Sequence, residues 1–121
     1  MHSKSIDIDG VKATVTTERG RDMFKKREMI RTMNIDTTDN HRWDIAYEFI
    51  RAVTQSTDVE TPFVWPDYDD SADVLLAAME SWLDLPADVL RGWGDALNKV
   101  DAPPQAIELT PGASEKNASG Q

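Results

Sequence analysis

At 121 residues the chain holds material for one domain, and a domain of that size buries roughly two-thirds of the surface its unfolded form exposes. It is 40% hydrophobic and 29% charged, with no cysteine and no run of about 20 apolar residues, which excludes disulfides, thiolate chemistry and a membrane-spanning helix. A net charge of −9 argues against general nucleic-acid binding, which needs Lys and Arg to displace counterions from phosphates.

That charge is uneven. Residues 1–60 hold 10 Lys and Arg against 11 Asp and Glu, whereas residues 61–121 hold 3 against 11. The acidic second half suits either a basic partner or plain solubility. The opening Met-His-Ser-Lys-Ser-Ile-Asp has no apolar stretch of signal-peptide length, so the expectation is a cytoplasmic protein.

In chain order, Ser5 to Thr16 alternates apolar and polar residues about Asp9-Gly10, a dipeptide that readily takes the positive φ of a tight turn. This predicts a β-hairpin with Ile6 and Ile8 on one side of the first strand and Val11, Ala13 and Val15 on one side of the second. An isolated hairpin is marginal in water, so it must lie on helices or pair with another chain.

Thr17 stands where a helix N-cap belongs, followed by a helix over about Glu18 to Met33. Met23, Lys26 or Arg27, Ile30 and Met33 recur along it at helical spacing, with Phe24 beside them. Its remaining faces are rich in Arg and Lys. Thr37, Thr38 and Asp39 offer caps for a second helix, about Asn40 to Ser56, whose stripe is Trp43, Ala46, Tyr47, Ile50 and Val53, widened by Phe49.

Thr57 to Asp70 reads as an irregular acidic loop, held extended by the prolines of Pro62-Phe63-Val64-Trp65-Pro66. A third helix begins at Asp70 or Ser71, with Leu75, Ala78, Met79 and Trp82 on one face and Val74 and Leu83 beside them. Pro86 suits the first turn of a fourth helix carrying Val89 or Leu90, Trp93, Leu97 and Val100. The short link predicts that these last two helices form an antiparallel or steeply crossed pair. Pro103-Pro104 ends the pattern. The expected fold is mainly α: an N-terminal β-hairpin and a small bundle of about four helices in residues 1–104, then a disordered acidic and polar tail over 105–121.

Catalytic signals are weak. His2 and His41 are the only histidines, and neither has a positioned partner in sequence. Asp67, Asp69, Asp70 and Asp73 form the densest carboxylate cluster, but the Gly and bidentate Glu of an EF-hand loop are missing, and helix capping explains them. The sequence predicts no cofactor, no metal site and no enzyme. Four tryptophans are many for this length; Trp43, Trp82 and Trp93 fall on helical stripes, whereas Trp65 lies between prolines and is either a plug on the core or an aromatic anchor for a partner.

The order of these features resembles the tail assembly chaperones of long-tailed bacteriophages (siphophages) and prophages. The residues carrying the resemblance lie within about 5–104: the hairpin, a charged helix, an aromatic helix, Pro62-Phe63-Val64-Trp65-Pro66, Ser81-Trp82-Leu83-Asp84-Leu85-Pro86-Ala87-Asp88 and Val100-Asp101-Ala102-Pro103-Pro104. It implies a factor of the host cytoplasm, absent from the mature virion, that coats the tape measure protein and keeps it soluble while tail tube subunits polymerise. In many relatives a frameshifted longer form recruits the tail tube protein. No family motif fixes a binding site; aromatic placement nominates Tyr47, Phe63, Val64 and Trp65 as protein-binding residues. Two other readings stand beside it: a structural subunit of a phage tail or neck, and an acidic DNA mimic that inhibits a host protein, against which the basic first helix speaks. Oligomeric state is open, a homo-oligomer included.

Overall fold

The computed structural model describes residues 2–102; the anticipated tail over 105–121, and Pro103-Pro104 before it, lie outside the described residues. Seven elements follow one another: β1 (Ser3–Ile8), β2 (Val11–Thr16), α1 (Gly20–Met33), α2 (Asn40–Gln55), β3 (Ser56–Glu60), α3 (Ala72–Leu83) and α4 (Ala87–Asp101). Four helices are present as expected, but the hairpin is part of a three-stranded antiparallel sheet in the order β1-β2-β3. The mainly α expectation is therefore corrected to a mixed α and β fold.

The hairpin forms in the register its alternation dictates, Ile8 opposite Val11 and Ile6 opposite Ala13. Asp9 and Gly10 turn the chain with φ of 52° and 82°, the left-handed pair that a two-residue hairpin loop needs. Strand β3 occupies the start of what reads as a loop. Ser56-Thr57-Asp58-Val59-Glu60 is short, polar and kinked by a positive φ at Asp58, so no local pattern marks it. Pairing with β2 makes it a strand: Val15 lies opposite Ser56 and Thr14 opposite Thr57, with an irregularity before Lys12 meets Glu60.

The inner face of the sheet buries Ile6, Val11, Ala13 and Val15. Helix α4 lies on that sheet, mainly on β1, rather than forming a close pair with α3. Gly92 permits the approach: a Cβ there would stand 2.5 Å from Ile8 Cδ1. Helices α3 and α4 meet through the edge-to-face rings of Trp82 and Trp93, centroids 6.3 Å apart. Val89, Trp93, Ala96, Leu97 and Val100 form the buried stripe of α4, and Ala46, Phe49, Ile50 and Val53 that of α2. One continuous apolar core results.

Helix α1 departs most from its sequence reading. It starts at Gly20, not after Thr17, because Thr17 is occupied elsewhere: its amide donates to the His2 carbonyl at 3.0 Å and its hydroxyl to the Val100 carbonyl at 3.1 Å. The N-cap is Arg19, whose amide donates to Asp22 Oδ2 at 2.9 Å. The buried face is Asp22, Lys26, Met29 and Met33, which turns Met23 (49% exposed) and Phe24 (65%) to solvent. Both acceptable stripes share Lys26 and Met33, and a buried polar network selects between them. Lys26 Nζ donates to Glu18 and, at 2.7 Å, to Gln55 Oε1. Gln55 Nε2 donates to the Thr16 carbonyl at 3.0 Å and to Asp101 Oδ2 at 3.1 Å, and Arg51 stands 3.6 Å from Asp101.

The turn supplies a prediction. Hydrogen bonding to, and charge repulsion from, Asp88 raise the Asp9 carboxyl above its ordinary titration range. Above that raised value Asp9 is ionised and its repulsion with Asp88 opposes folding; as pH falls through it and Asp9 takes up a proton, that repulsion disappears. Asp9→Asn also places the better residue in the left-handed position before Gly10. Thermal unfolding should show a higher midpoint for Asp9→Asn at pH 7, with the gap to the parent narrowing as pH falls through the carboxylate range.

Candidate docking groove

The four residues nominated by aromatic placement fall into two groups. Trp65 stacks on Trp93 with centroids 5.1 Å apart and planes 12° apart, and meets Phe49 edge-on at 6.4 Å. Phe63 lies 6.0 Å from Trp65, its carbonyl held at 2.6 Å by the Thr61 hydroxyl. Phe63 and Trp65 thus pack half-buried against the core, while Val64 between them in sequence is 88% exposed. Tyr47 belongs to another surface; it stacks on Trp43 at 5.1 Å and lies under Lys26 Nζ at 5.8 Å.

This geometry separates the two roles of the loop. Trp65→Ala removes a half-buried ring and should cost about 2–4 kcal/mol, somewhat below a full core truncation. Val64→Ser removes only solvent-facing carbon and should stay within about 0.5 kcal/mol of the parent. Urea unfolding of both variants checks the pair.

A larger apolar concavity lies elsewhere, where the end of α1, the turn after it, α2 and α3 converge. It encloses about 410 Å³ and is lined by Met33, Ile35, Ile45, Ala46, Leu76, Met79 and Leu83, with Asn34, Asp36, Arg42 and Glu80 among its polar residues. Its origin is the composition of α3, where Val74-Leu75-Leu76-Ala77-Ala78-Met79 is apolar around most of the helix. Leu75, Ala78 and Trp82 go into the core. Leu76, Met79 and Leu83, spaced i, i+3 and i+7, form a second stripe beside it that lines the groove, with Leu76 still 37% exposed. The sequence signal is present, but it reads as a widened core stripe until the neighbours of each residue are known.

The rim is acidic. Asp36 accepts from the Thr38 hydroxyl at 2.6 Å and the Thr38 amide at 2.9 Å, and these bonds hold its carboxyl below the usual range and ionised. Arg42, the rim cation, is engaged with Asp39 at 3.6 Å, and Arg31 in the last turn of α1 with Glu28. Helix α3 has no basic residue in its last turn; Glu80 and the C-cap Asp84 stand there and make no ion pair among the described residues. Carboxylates at the negative end of a helix dipole each cost about 0.3–1 kcal/mol. Glu80 therefore gives up some helix stability while lining the trough, whereas Asp84 beside it also stands two residues before Pro86, near the favourable positive end of α4.

No group of three or more His, Cys, Asp or Glu among the described residues is placed to hold a metal. In the carboxylate cluster Asp70 Oδ2 accepts from the Asp67 amide at 2.8 Å, closing a turn, and Ser71 caps α3 through the Val74 amide. Pro86 precedes α4 as its N-cap, its carbonyl accepting from Val89 and Leu90. None of the described helices is long and apolar enough to cross a membrane. Compared with family models, curated proteins and solved structures, the chain finds no match.

Proposed function

We propose that this chain is an assembly chaperone that covers the apolar stripe of a long helical partner, in the manner of a phage tail assembly chaperone acting on a tape measure protein. The observation that carries the reading is the unfilled trough between α1, α2 and α3, whose floor is Ile35, Ile45, Leu76, Met79 and Leu83. An amphipathic helix laid in a hydrophobic groove is an established mode of peptide recognition, and a trough of this shape matches it. The order of features along residues 5–104 supports the same reading. A surplus of carboxylates keeps such a complex dispersed while the tail is built.

On this reading the protein works in the host cytoplasm and leaves before the virion matures. A longer frameshifted form would add contact with the tail tube protein. Val64, exposed beside the Phe63 and Trp65 rings, and Tyr47 on α2 are secondary contact candidates.

Co-expression with the tape measure protein encoded alongside should raise its soluble yield, and the two should elute together. Separate elution with unchanged solubility defeats the proposal. Mass spectrometry of purified particles distinguishes it from a structural tail or neck subunit, which would be present in stoichiometric amount.

A further inference from the structure

The groove has a charge as well as a shape, and the two together specify an occupant. Leu76, Met79 and Leu83 run along one side of α3, and seven residues of helix span about 11 Å, close to two turns of a second helix. Asp36 and Glu80 are the acids among the lining residues, Glu80 in the last turn of α3; the lining cation Arg42 is paired with Asp39, and its charge also reaches Asp36.

We infer that the groove takes a cationic amphipathic helix, with apolar anchors against Leu76 and Met79 and Lys or Arg residues over Asp36 and Glu80. The inference rests on the chaperone reading and narrows it from any helical partner to one whose apolar stripe is flanked by base. A carboxylate such as Glu80 that opposes the dipole of its own helix gains a purpose if it faces a positive partner. A function of that kind leaves a signature: removing it should help the fold and harm binding.

The test uses the full chain, a labelled 18-residue Leu/Lys amphipathic helical peptide, its Leu/Glu counterpart and a Lys-containing scramble. Fluorescence anisotropy should show saturable one-to-one binding of the Leu/Lys peptide, weakening with salt, and none of the other two. The charge-reversed variant Glu80→Lys should raise the thermal midpoint and weaken the Leu/Lys peptide several-fold at low salt. Leu76→Asp adds negative charge yet should weaken the same peptide about tenfold, because a charge on the apolar floor opposes the anchor. Ser5→Asp, which adds the same charge at an exposed position on β1 away from the groove, should change nothing.

Equal binding of the scramble, or Leu/Lys affinity unmoved in Leu76→Asp, overturns the groove assignment and leaves mere attraction to an acidic protein. Loss of binding accompanied by a lowered midpoint in the charge-reversed variant overturns the trade-off, since Glu80 would then be holding the fold. Co-purification of that variant with the tape measure protein, undiminished, sinks the groove while the chaperone reading stands.

Discussion

Trp93→Ala is expected to destabilise the protein by about 3–5 kcal/mol, the range of aromatic truncations at fully buried sites. Trp93 is 0% exposed at the centre of α4. Its ring stacks on Trp65 at 5.1 Å and meets Trp82 edge-on at 6.3 Å, while its Nε1 donates to Ser56 Oγ at 3.0 Å. One side chain thus joins the proline-bounded loop, α3, α4 and the first residue of β3. A domain of this size is stable by about 5–15 kcal/mol, so the variant loses about a fifth of the total or more. Urea unfolding followed by far-ultraviolet circular dichroism measures the loss. A cost below about 1 kcal/mol would mean that the ring does not occupy the core.

Gln55→Leu should cost about 2–4 kcal/mol although it keeps the side-chain size. Gln55 is 1% exposed and holds three partners: its carbonyl accepts from Lys26, and its amide donates to Thr16 and Asp101. Leucine leaves the Thr16 carbonyl and the buried Lys26 ammonium short of a partner, at about 1–3 kcal/mol for each orphaned group. Lys26→Met should cost less, because it orphans only the buried Gln55 Oε1, while Glu18 is one-third exposed and can return to water. The double variant places two apolar chains side by side, and replacing both members of a buried polar pair is far milder than removing one. Its cost should fall clearly below the sum of the single variants. Strict additivity in that cycle would show that Lys26 and Gln55 do not depend on each other.

These two sites also mark how far the sequence is legible. Trp93 is visible in advance, since Val89, Trp93, Leu97 and Val100 repeat at helical spacing and only one face of α4 can be buried. The Lys26 network is not. Helical spacing along α1 reads as Met23, Lys26 or Arg27, Ile30 and Met33, whereas the buried face keeps Lys26 and Met33 but takes Asp22 and Met29 in place of Met23 and Ile30. Glu18, Gln55 and Asp101 decide the matter, brought to Lys26 by three separate elements. Trp65 is intermediate: its setting between prolines announces a rigid loop, while the direction of the ring depends on Trp93, 28 positions later.

Sequence by itself determined what local chemistry can enforce. The Asp9-Gly10 turn fixed the hairpin register, and the cap candidates Thr37 to Asp39 and Asp70-Ser71 bracketed the starts of α2 and α3. Helical spacing fixed the inner face of α4 but only part of that of α2, where Ala46, Phe49, Ile50 and Val53 are buried and Trp43 and Tyr47 pair on another surface. Tertiary structure alone decided the rest: β3, which is a strand only because β2 offers it hydrogen bonds; the rotation of α1, set by a charge network spread over residues 18 to 101; and the groove, which exists because α3 carries more apolar surface than the core covers. The physical reason is common to all three. Backbone pairing, polar satisfaction and leftover apolar area are properties of neighbours in space, and no window along the chain contains them.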